Sequence, residues 1–281
     1  MKNKLVILVT LFTFSLVQAQ KEKIELPKTI EEIEFPNDRI TVLFDVYLEK
    51  NGILHVKDSL VSYKQLGDLA FKFGLEHIEV WKFLVLAPLH IDKDTPYKYV
   101  DRLKRELHQS SVKYYYRTGH IEDVTSGIIY YVHAPSFFYR DIIDDNMDSI
   151  RLKPYSFAGY REKDTLERFL DNLYSKRFKK ADSILKKMNY NKIIFLKNDS
   201  IQMNNKKFAH TEINNMYNEV KGLNICFISF SPDLLYKDYL KNISTIKKVT
   251  LLRHQYKKEK PYFFHISGEL QKVLDNKKIK F

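Results

Sequence analysis

The sequence is poor in cysteine and in glycine, and each shortage excludes classes of protein. Cys226 is the only cysteine among 281 residues, so no intrachain disulfide can form. It stands among strand-forming residues, and we interpret it as a buried, inert thiol rather than a nucleophile. None of the eight glycines belongs to a G-x-x-x-x-G-K or G-x-G-x-x-G pattern. This argues against a glycine-rich nucleotide site, a collagen-like chain and a β-solenoid.

Signatures of catalysis and of metal binding are also missing. The nine histidines are scattered, without an H-x-x-x-H pair or the Cys/His spacing of a zinc site. No serine stands in a G-x-S-x-G setting. The paired carboxylates of Asp144 and Asp145 occupy a polar stretch typical of a solvated turn. We therefore predict no catalytic residue, no metal and no cofactor, and we interpret the chain as non-enzymatic.

Only one long apolar run is present, and it lies near the start of the sequence. Two lysines precede residues 5–17, an uncharged and mainly apolar stretch, and Val17-Gln18-Ala19 completes a small-residue cleavage pattern. This layout predicts a signal peptide at residues 1–19 and an exported, periplasmic protein. The run is shorter than the roughly 20 apolar residues of a membrane span, and no later stretch predicts a stable span. The alternative is anchoring by an uncleaved N-terminal segment.

Positive charge exceeds negative charge, with 47 Lys and Arg against 35 Asp and Glu, a formal net charge of +12. The excess is mainly lysine and includes the pairs Lys179-Lys180, Lys186-Lys187 and Lys277-Lys278. One interpretation is a solvated surface, and the other is attraction to an anionic partner such as a cell-wall polymer, lipid headgroups or an acidic peptide. Because an exported chain rarely meets nucleic acid, we do not expect nucleic acid as a partner.

What the sequence does contain is one β/α pattern that occurs twice. In the first copy, at residues 39–118, a strand folds back through Asn51-Gly52, the strongest short hairpin signal. Ser62 predicts the start of one helix, and Thr95 followed by Pro96 predicts the start of another, with Thr95 as its cap. The predicted elements are strands at residues 40–47 and 53–57, a helix at 63–73, a strand at 82–87, the helix from Thr95-Pro96 and a closing strand at 112–117.

The second copy, at residues 191–255, follows the same order with gaps. Ser231-Pro232 repeats the cap-and-proline start of Thr95-Pro96. Its predicted elements are strands at residues 192–196 and 201–204, a helix at 211–220, a strand at 224–230, the helix from Ser231-Pro232 and a closing strand at 249–253.

The two copies predict an α+β protein made of two small ββαβαβ modules, each a sheet with helices on one face. A single module is marginal in size, so pairing is physically reasonable, either within the chain or between chains. The connector at residues 119–190 is rich in aromatic rings and ends in one helix or a helix pair at 166–188. The remaining segments are an N-terminal linker at residues 20–38 and a basic tail at 256–281, with a short helix near 268–274.

Several short segments of the first copy match one known family. They are the hairpin Asn51-Gly52-Ile53, the helix start Val61-Ser62, the strand Leu84-Val85-Leu86-Ala87 and, most specifically, residues 92–101 (DKDTPYKYVD) followed by 112–118. On these segments the chain resembles the periplasmic domain of the ExbD/TolR biopolymer-transport family, closely in copy one and loosely in copy two. The resemblance implies pairing through this domain, a role beside an energy-transducing motor, and contact with TonB-type proteins or peptidoglycan.

The chain departs from that family in its N-terminal segment. The family's membrane helix carries a proton-accepting Asp, whereas residues 5–19 contain neither Asp nor Glu. An ionisable group inside the membrane is the usual mark of a proton path. The chain is therefore similar to the periplasmic part of the family without its motor part.

Two groups of residues are candidates for partner binding. One group lies between a strand end and a helix start, where anionic groups are favoured and ligand crevices often form; its alternative role is only to cap the helix. The other lies in a predicted edge or closing strand, which can add a strand from another chain in self-association or peptide capture; the alternative is a buried aromatic row. The candidates are Asp92, Asp94, Thr95, Pro96 and Tyr97 in the first group, and Tyr114 and Tyr116 in the second.

The sequence favours an exported interaction protein that binds a TonB-type partner, a motor subunit or a cell-wall polymer. Two alternatives stay open. One is an exported enzyme, such as a hydrolase, whose site lies in the connector around residues 130–160 and would show buried groups with shifted pKa values. The other is a structural surface protein with a self-association surface.

Overall fold

The structure is a computed structural model that describes ten segments of the chain: residues 24–29, 31–33, 40–78, 83–108, 110, 112–129, 163–197, 200–212, 225–255 and 262–279. Three predictions lie wholly or mainly outside the described residues. They concern the signal peptide, the aromatic stretch at residues 130–160, and the second copy's first helix, of which only a short 3-10 turn at His210–Glu212 is described.

The protein has two mixed sheets, each with helices, and this confirms the α+β class with two small modules. Among the described residues, no helix is long and apolar enough to cross a bilayer. Module one contains β1 (Ile40–Leu43), β2 (Val46–Leu48), β3 (Leu54–Val56), β4 (Ser59–Val61), α1 (Tyr63–Ile78), β5 (Phe83–Ile91), α2 (Tyr97–His108), β6 (Lys113–Arg117) and β7 (Gly127–Ile128). Module two contains α3 (Lys163–Tyr174), α4 (Phe178–Leu185), β8 (Tyr190–Leu196), β9 (Ser200–Met203), β10 (Lys206–Ala209), β11 (Ile225–Phe230), α5 (Tyr236–Gln255), β12 (Tyr262–His265) and α6 (Gly268–Asn276).

The strands of the two sheets follow the same spatial order. Sheet one runs β4-β3-β2-β5-β6-β7, and sheet two runs β10-β9-β8-β11-β12. β1 and β2 keep a single parallel register along β5, so they form one strand interrupted at residues 44–45, as predicted for residues 40–47. Each module also has a third antiparallel strand, β4 or β10, that the predicted ββαβαβ order lacks.

The extra strands follow from a turn that occurs in both modules. Lys57 and Asn204 adopt a left-handed backbone conformation, with φ of 55° and 47°. Each donates its backbone N–H to an equivalent carbonyl, Lys57 to Asp45 (3.2 Å) and Asn204 to Lys192 (3.0 Å). Because lysine is not a typical left-handed residue, the sequence of module one gave little sign of this turn.

The first helix of module one is confirmed, and it begins with a capping box. The N–H of Gln65 donates to the Ser62 hydroxyl (3.3 Å), and the Ser62 N–H donates to the Gln65 side chain (2.7 Å). The helix extends to Ile78, beyond the predicted end at Phe73. The predicted cap of α2 is wrong, because the buried Thr95 hydroxyl makes no hydrogen bond to a described residue and the helix begins at Tyr97.

The predicted equivalence of Ser231-Pro232 with Thr95-Pro96 is wrong by three residues. The N–H of Ser231 donates to the Phe195 carbonyl (2.8 Å), and the N–H of Asp92 donates to the Leu48 carbonyl (3.0 Å). Ser231 therefore corresponds to Asp92, not to Thr95. α5 therefore begins at Tyr236 and not directly after Pro232. Proline misled the prediction because it suits a turn as well as the first position of a helix.

The closing strand of module two was also placed wrongly. Residues 249–253 belong to α5, and the strand that pairs with β11 is β12, within the segment predicted as a basic tail. Val249 and Thr250 suggested a strand, but β-propensity depends strongly on context. β12 is buried on both sides and so shows no alternation of apolar and polar residues.

A helical layer covers the second face of sheet two, in addition to α5. For residues 166–188 the prediction was one helix or a helix pair, and the structure has the pair, α3 and α4; the predicted short helix near 268–274 is confirmed as α6. Ser267 caps α6 by accepting the Leu270 N–H. The three helices share one apolar cluster with β11 and β12, formed by residues such as Phe169, Leu185, Phe227, Phe264 and Leu274.

The main core is continuous between the modules. One cluster contains Leu48 and Leu89 from sheet one, Phe195 and Ile228 from sheet two, and side chains from α1, α2 and α5. A smaller cluster of Ile33, Leu86 and Tyr115 lies on the opposite face of sheet one. The two modules thus pack on a shared helical layer.

Candidate functional site

Two equivalent segments, one from each module, pair along what we call the seam: residues 93–98 and residues 232–237. An isolated antiparallel bridge between Pro96 and Leu235 lies at its centre. Four backbone hydrogen bonds surround the bridge. They run from Tyr97 N–H to Leu234 O (2.7 Å), Tyr236 N–H to Thr95 O (2.9 Å), Lys98 N–H to Pro232 O (3.0 Å) and Lys237 N–H to Lys93 O (3.0 Å).

The seam is reciprocal, since each bond from module one to module two has an equivalent in the opposite direction. A shift of 139 residues takes Asp92 to Ser231 and Tyr97 to Tyr236, and it exchanges the two halves of the bond pattern. This is the arrangement of a two-fold interface, in which one patch contacts its own equivalent. The chain is therefore paired with itself as a pseudo-dimer.

Charged side chains border the seam on its outer side. Asp92 accepts the N–H groups of Asp94 (2.9 Å) and of Glu25 (3.0 Å), which ties the N-terminal segment to this turn. Asp94 also forms an ion pair with Lys237 of module two (2.8 Å). Both partners are nearly half exposed, so the pair is expected to contribute less than about 1 kcal/mol.

Behind the seam lies a buried polar cluster that both modules build. Lys104 Nζ donates to the Tyr239 hydroxyl (3.0 Å), and the Tyr239 and Tyr116 hydroxyls share a hydrogen bond (2.8 Å). The Tyr97 hydroxyl lies 2.9 Å from His265 Nε2 and 3.3 Å from Asp101 Oδ1. These side chains come from α2, α5, β6 and β12, so the cluster exists only when the modules are paired.

Burial governs protonation in this cluster. It lowers the pKa of Lys104 to about 8, against the opposing effect of the Asp101 carboxylate. It also lowers the pKa of His108 to about 4, with a further contribution from the charge of Lys104. For the same reason, the pKa of His265 lies well below its usual value, and the pKa of Asp101 is raised. Burial also raises the pKa values of Tyr97, Tyr116, Tyr236 and Tyr239 well above the usual range.

Such groups could transfer protons, but their position favours a structural role. Lys104 is 8% exposed, and Tyr97, Tyr116, Tyr239 and His265 are each at most 2% exposed. A reactive group that serves a soluble substrate must be reachable, and these side chains are covered by both modules. The cluster instead satisfies polar groups that pairing would otherwise bury at a cost.

A second polar cluster lies on the outer face of sheet one. His55 Nε2 lies 2.9 Å from a Glu49 carboxylate oxygen, and His90 Nε2 lies 3.0 Å from Asp45 Oδ1. Tyr47 pairs with both histidines across the sheet and stacks on the His90 ring, with centroids 4.4 Å apart. Within the described residues, no set of three or more His, Cys, Asp or Glu is arranged to hold a metal ion.

The structure brings the predicted partner-binding residues together, and most of them contact module two of the same chain. Thr95 and Tyr97 are buried in the seam, while Asp92 and Asp94 lie at its border and Pro96 at its central bridge. Tyr114 and Tyr116 are 3% and 1% exposed in β6, which pairs with β5 and β7, so the alternative of a buried aromatic row holds for this strand.

The sequence analysis missed Lys104, Tyr239 and His265. A signal existed for Lys104, because it lies four residues after Val100 and seven after Tyr97, on the apolar face of α2. No such signal existed for His265, because its strand, β12, lies in the segment that the sequence analysis assigned to a basic tail.

No known family, curated protein or solved structure matches this chain.

Proposed function

We propose that the chain is an exported, non-enzymatic interaction protein of the cell envelope. In this proposal it is a single-chain counterpart of paired ExbD/TolR-like periplasmic modules and binds a TonB-type partner, a motor subunit or cell-wall polymer. The reciprocal seam is the observation that carries the proposal. A protein that pairs its two modules internally has no need of a second copy to complete this interface.

The geometry of the described residues favours binding over catalysis. The groups with the most shifted pKa values are covered on both sides by the chain itself. The alternative enzyme site in the connector lies at residues outside the described part of the chain. The turn at residues 92–94 remains partly accessible at the seam's border and is our preferred contact for a partner.

The first test is in-cell crosslinking in the native host, with a photo-crosslinking amino acid placed at one exposed position per surface. Suitable positions are Lys98 beside the turn at residues 92–94, Leu60 on β4, Phe71 on α1, Lys186 after α4 and Lys207 on β10, all of which are exposed. Mass spectrometry of the adducts identifies the partner and the surface that meets it. Recovery of TonB-type proteins, motor subunits or cell-wall fragments supports the proposal. Adducts only within the chain, or none at all, would refute it.

A matched pair of variants then tests the accessible turn. Asp94→Ala removes the carboxylate at the border of the seam, and Asp233→Ala removes its equivalent in module two. Loss of partner capture in Asp94→Ala, with capture kept in Asp233→Ala, assigns the turn to partner binding. Equal capture by both variants removes the turn from consideration. Deletion of residues 92–97 is a poorer test, because it also removes backbone hydrogen bonds of the seam.

A further inference from the structure

The excess of positive over negative charge in this protein lies in its C-terminal part. Residues 163–281 contain 25 of the 47 Lys and Arg but only 12 of the 35 Asp and Glu, a net charge of +13. Residues 1–162 contain the other 22 basic and 23 acidic residues, a net charge of −1. A charge difference of this size between two parts of the chain makes the electrostatic potential of the molecule uneven. A uniformly lysine-rich surface would not have this effect.

Part of this charge is concentrated on one face of module two. Six exposed basic side chains surround the start of α4 and the end of α6, and we call them the basic helical face. Lys277 Nζ lies 5.0 Å from the centre of the Phe178 ring, which brings the ends of the two helices together. The six residues are Lys176, Arg177, Lys179, Lys180, Lys277 and Lys278.

Basic residues outnumber acidic residues along the segments that form this face. Between residues 176 and 187 the only acidic residue is Asp182, and it forms an ion pair with Lys186 (2.6 Å). Between residues 272 and 280, four lysines accompany a single acidic residue, Asp275. The face therefore keeps an excess of positive charge in solution.

The chemistry of the face suits a diffuse anionic surface. Five of its six cations are lysines, each a point charge on a flexible side chain. Lysine lacks the planar guanidinium group with which arginine forms two parallel hydrogen bonds to one phosphate. The cations extend over two helices that also cover the second face of sheet two, so they form part of an outer layer. A cluster of four to eight Lys or Arg is typical of proteins that bind anionic lipid headgroups.

We propose that the basic helical face docks the protein on an anionic phospholipid surface, with module one, whose acidic and basic residues balance, directed away from it. Docking is electrostatic and requires no insertion of apolar residues. The same charge asymmetry orients the molecule, because the leaflet attracts the positively charged module two and not module one, whose charges balance.

The test is co-sedimentation of the purified chain, from Gln20 onward, with lipid vesicles. Residues 1–19 are omitted because their apolar run could enter a bilayer by itself. We expect binding to vesicles of phosphatidylcholine with phosphatidylglycerol, little binding to pure phosphatidylcholine, and loss of binding at high salt. The triple variant Lys179→Glu, Lys180→Glu, Lys278→Glu should partition at least about 100-fold more weakly, since each cation near an anionic leaflet contributes severalfold.

The matched control places the same charge change elsewhere. Lys64→Glu, Lys72→Glu, Lys113→Glu alters three exposed lysines of module one and should leave most of the binding. Thermal unfolding of both variants checks that each is folded. Equal loss of binding in both variants would assign the effect to net charge and overturn the proposal, as would equal binding to neutral vesicles or full binding by the first variant.

Competition distinguishes a lipid surface from other anions. Inorganic phosphate that displaces the protein more effectively than chloride at equal ionic strength would indicate a discrete phosphate site and overturn the proposal. Binding to isolated cell-wall polymer but not to anionic vesicles would also overturn it. The outcome is separate from the proposed function. Vesicle binding without partner capture supports lipid docking and refutes the proposed partner binding. Partner capture without vesicle binding supports the proposed function and refutes lipid docking.

Discussion

Tyr236 and Tyr239 are two fully buried tyrosines of α5 whose hydroxyl groups are in opposite situations. The Tyr239 hydroxyl accepts from Lys104 and shares a hydrogen bond with Tyr116. The Tyr236 hydroxyl makes no hydrogen bond to any residue that the structure describes. Since an unpaired buried polar group costs about as much as a lost hydrogen bond, the two hydroxyls should contribute to stability with opposite signs.

We predict that Tyr239→Phe lowers the free energy of unfolding by about 1–3 kcal/mol, because it leaves Lys104 and Tyr116 with one partner fewer. Tyr236→Phe serves as the matched control, with the same ring in the same helix, and should be neutral or slightly stabilising. Urea unfolding of both variants measures the difference. Equal destabilisation by the two substitutions would show that the hydrogen bonds of Tyr239 add nothing.

Lys104 should give the protein an unusual dependence of stability on pH. Its pKa is about 8 in the folded protein against an ordinary 10.5, so between these pH values the unfolded chain binds more protons than the folded one. Stability therefore rises with pH across this window, by up to about 1.4 kcal/mol per pH unit. Above pH 10 the buried tyrosines, with their raised pKa values, reverse the trend.

The predicted rise between pH 8 and pH 10 should be absent in Lys104→Met, which keeps the length of the side chain and removes the proton. Urea unfolding at a series of pH values tests this, and the fall above pH 10 provides an internal control because it should remain. If the variant and the natural sequence show the same slope between pH 8 and pH 10, Lys104 is not its source.

At the level of elements, the turn between β2 and β3 depends on a glycine. Gly52 has φ of 87°, and a Cβ placed there would lie 2.6 Å from the Tyr99 ring. We predict that Gly52→Ala lowers the free energy of unfolding by more than about 1–2 kcal/mol, from the backbone conformation alone and before the clash is added.

Gly67, inside α1, is the matched control for Gly52. A Cβ there would lie 3.4 Å from its nearest neighbour, a Glu106 carboxylate oxygen, which is ordinary contact. Gly67→Ala should therefore stabilise the protein by about 0.5–1 kcal/mol, the gain expected of alanine in a helix. Thermal unfolding of the two variants should show shifts in melting temperature of opposite sign. A higher melting temperature for Gly52→Ala would contradict the predicted dependence of this turn on glycine.

The elements also show which features the sequence could predict. Local signals were sufficient for α1, whose capping box lies within four residues, and for the hairpin at Gly52. β12 and the length of α5 depend on contacts between distant segments, and a strand buried on both sides has no periodicity to reveal it. The seam was beyond prediction for the same reason, since its hydrogen bonds join residues more than 130 positions apart.

For the whole molecule, the central question is whether the two modules unfold together. One apolar cluster includes side chains from both sheets, and the seam and the polar cluster add hydrogen bonds between them. An interface this continuous should make the chain one cooperative unit. Hydrogen exchange monitored by mass spectrometry should then give β5 and β11 the same free energy of opening.

Removal of a seam side chain should divide that unit. Tyr236 is fully buried against Tyr116 across the seam, so Tyr236→Ala leaves a cavity between the modules that costs about 3–5 kcal/mol. We expect β5 and β11 to open with different free energies in this variant. Leu54→Ala, which creates a cavity inside module one, is the control and should lower both values equally. Different opening energies for β5 and β11 in the unmodified chain would contradict a single cooperative unit, because the seam would then join two modules that fold independently.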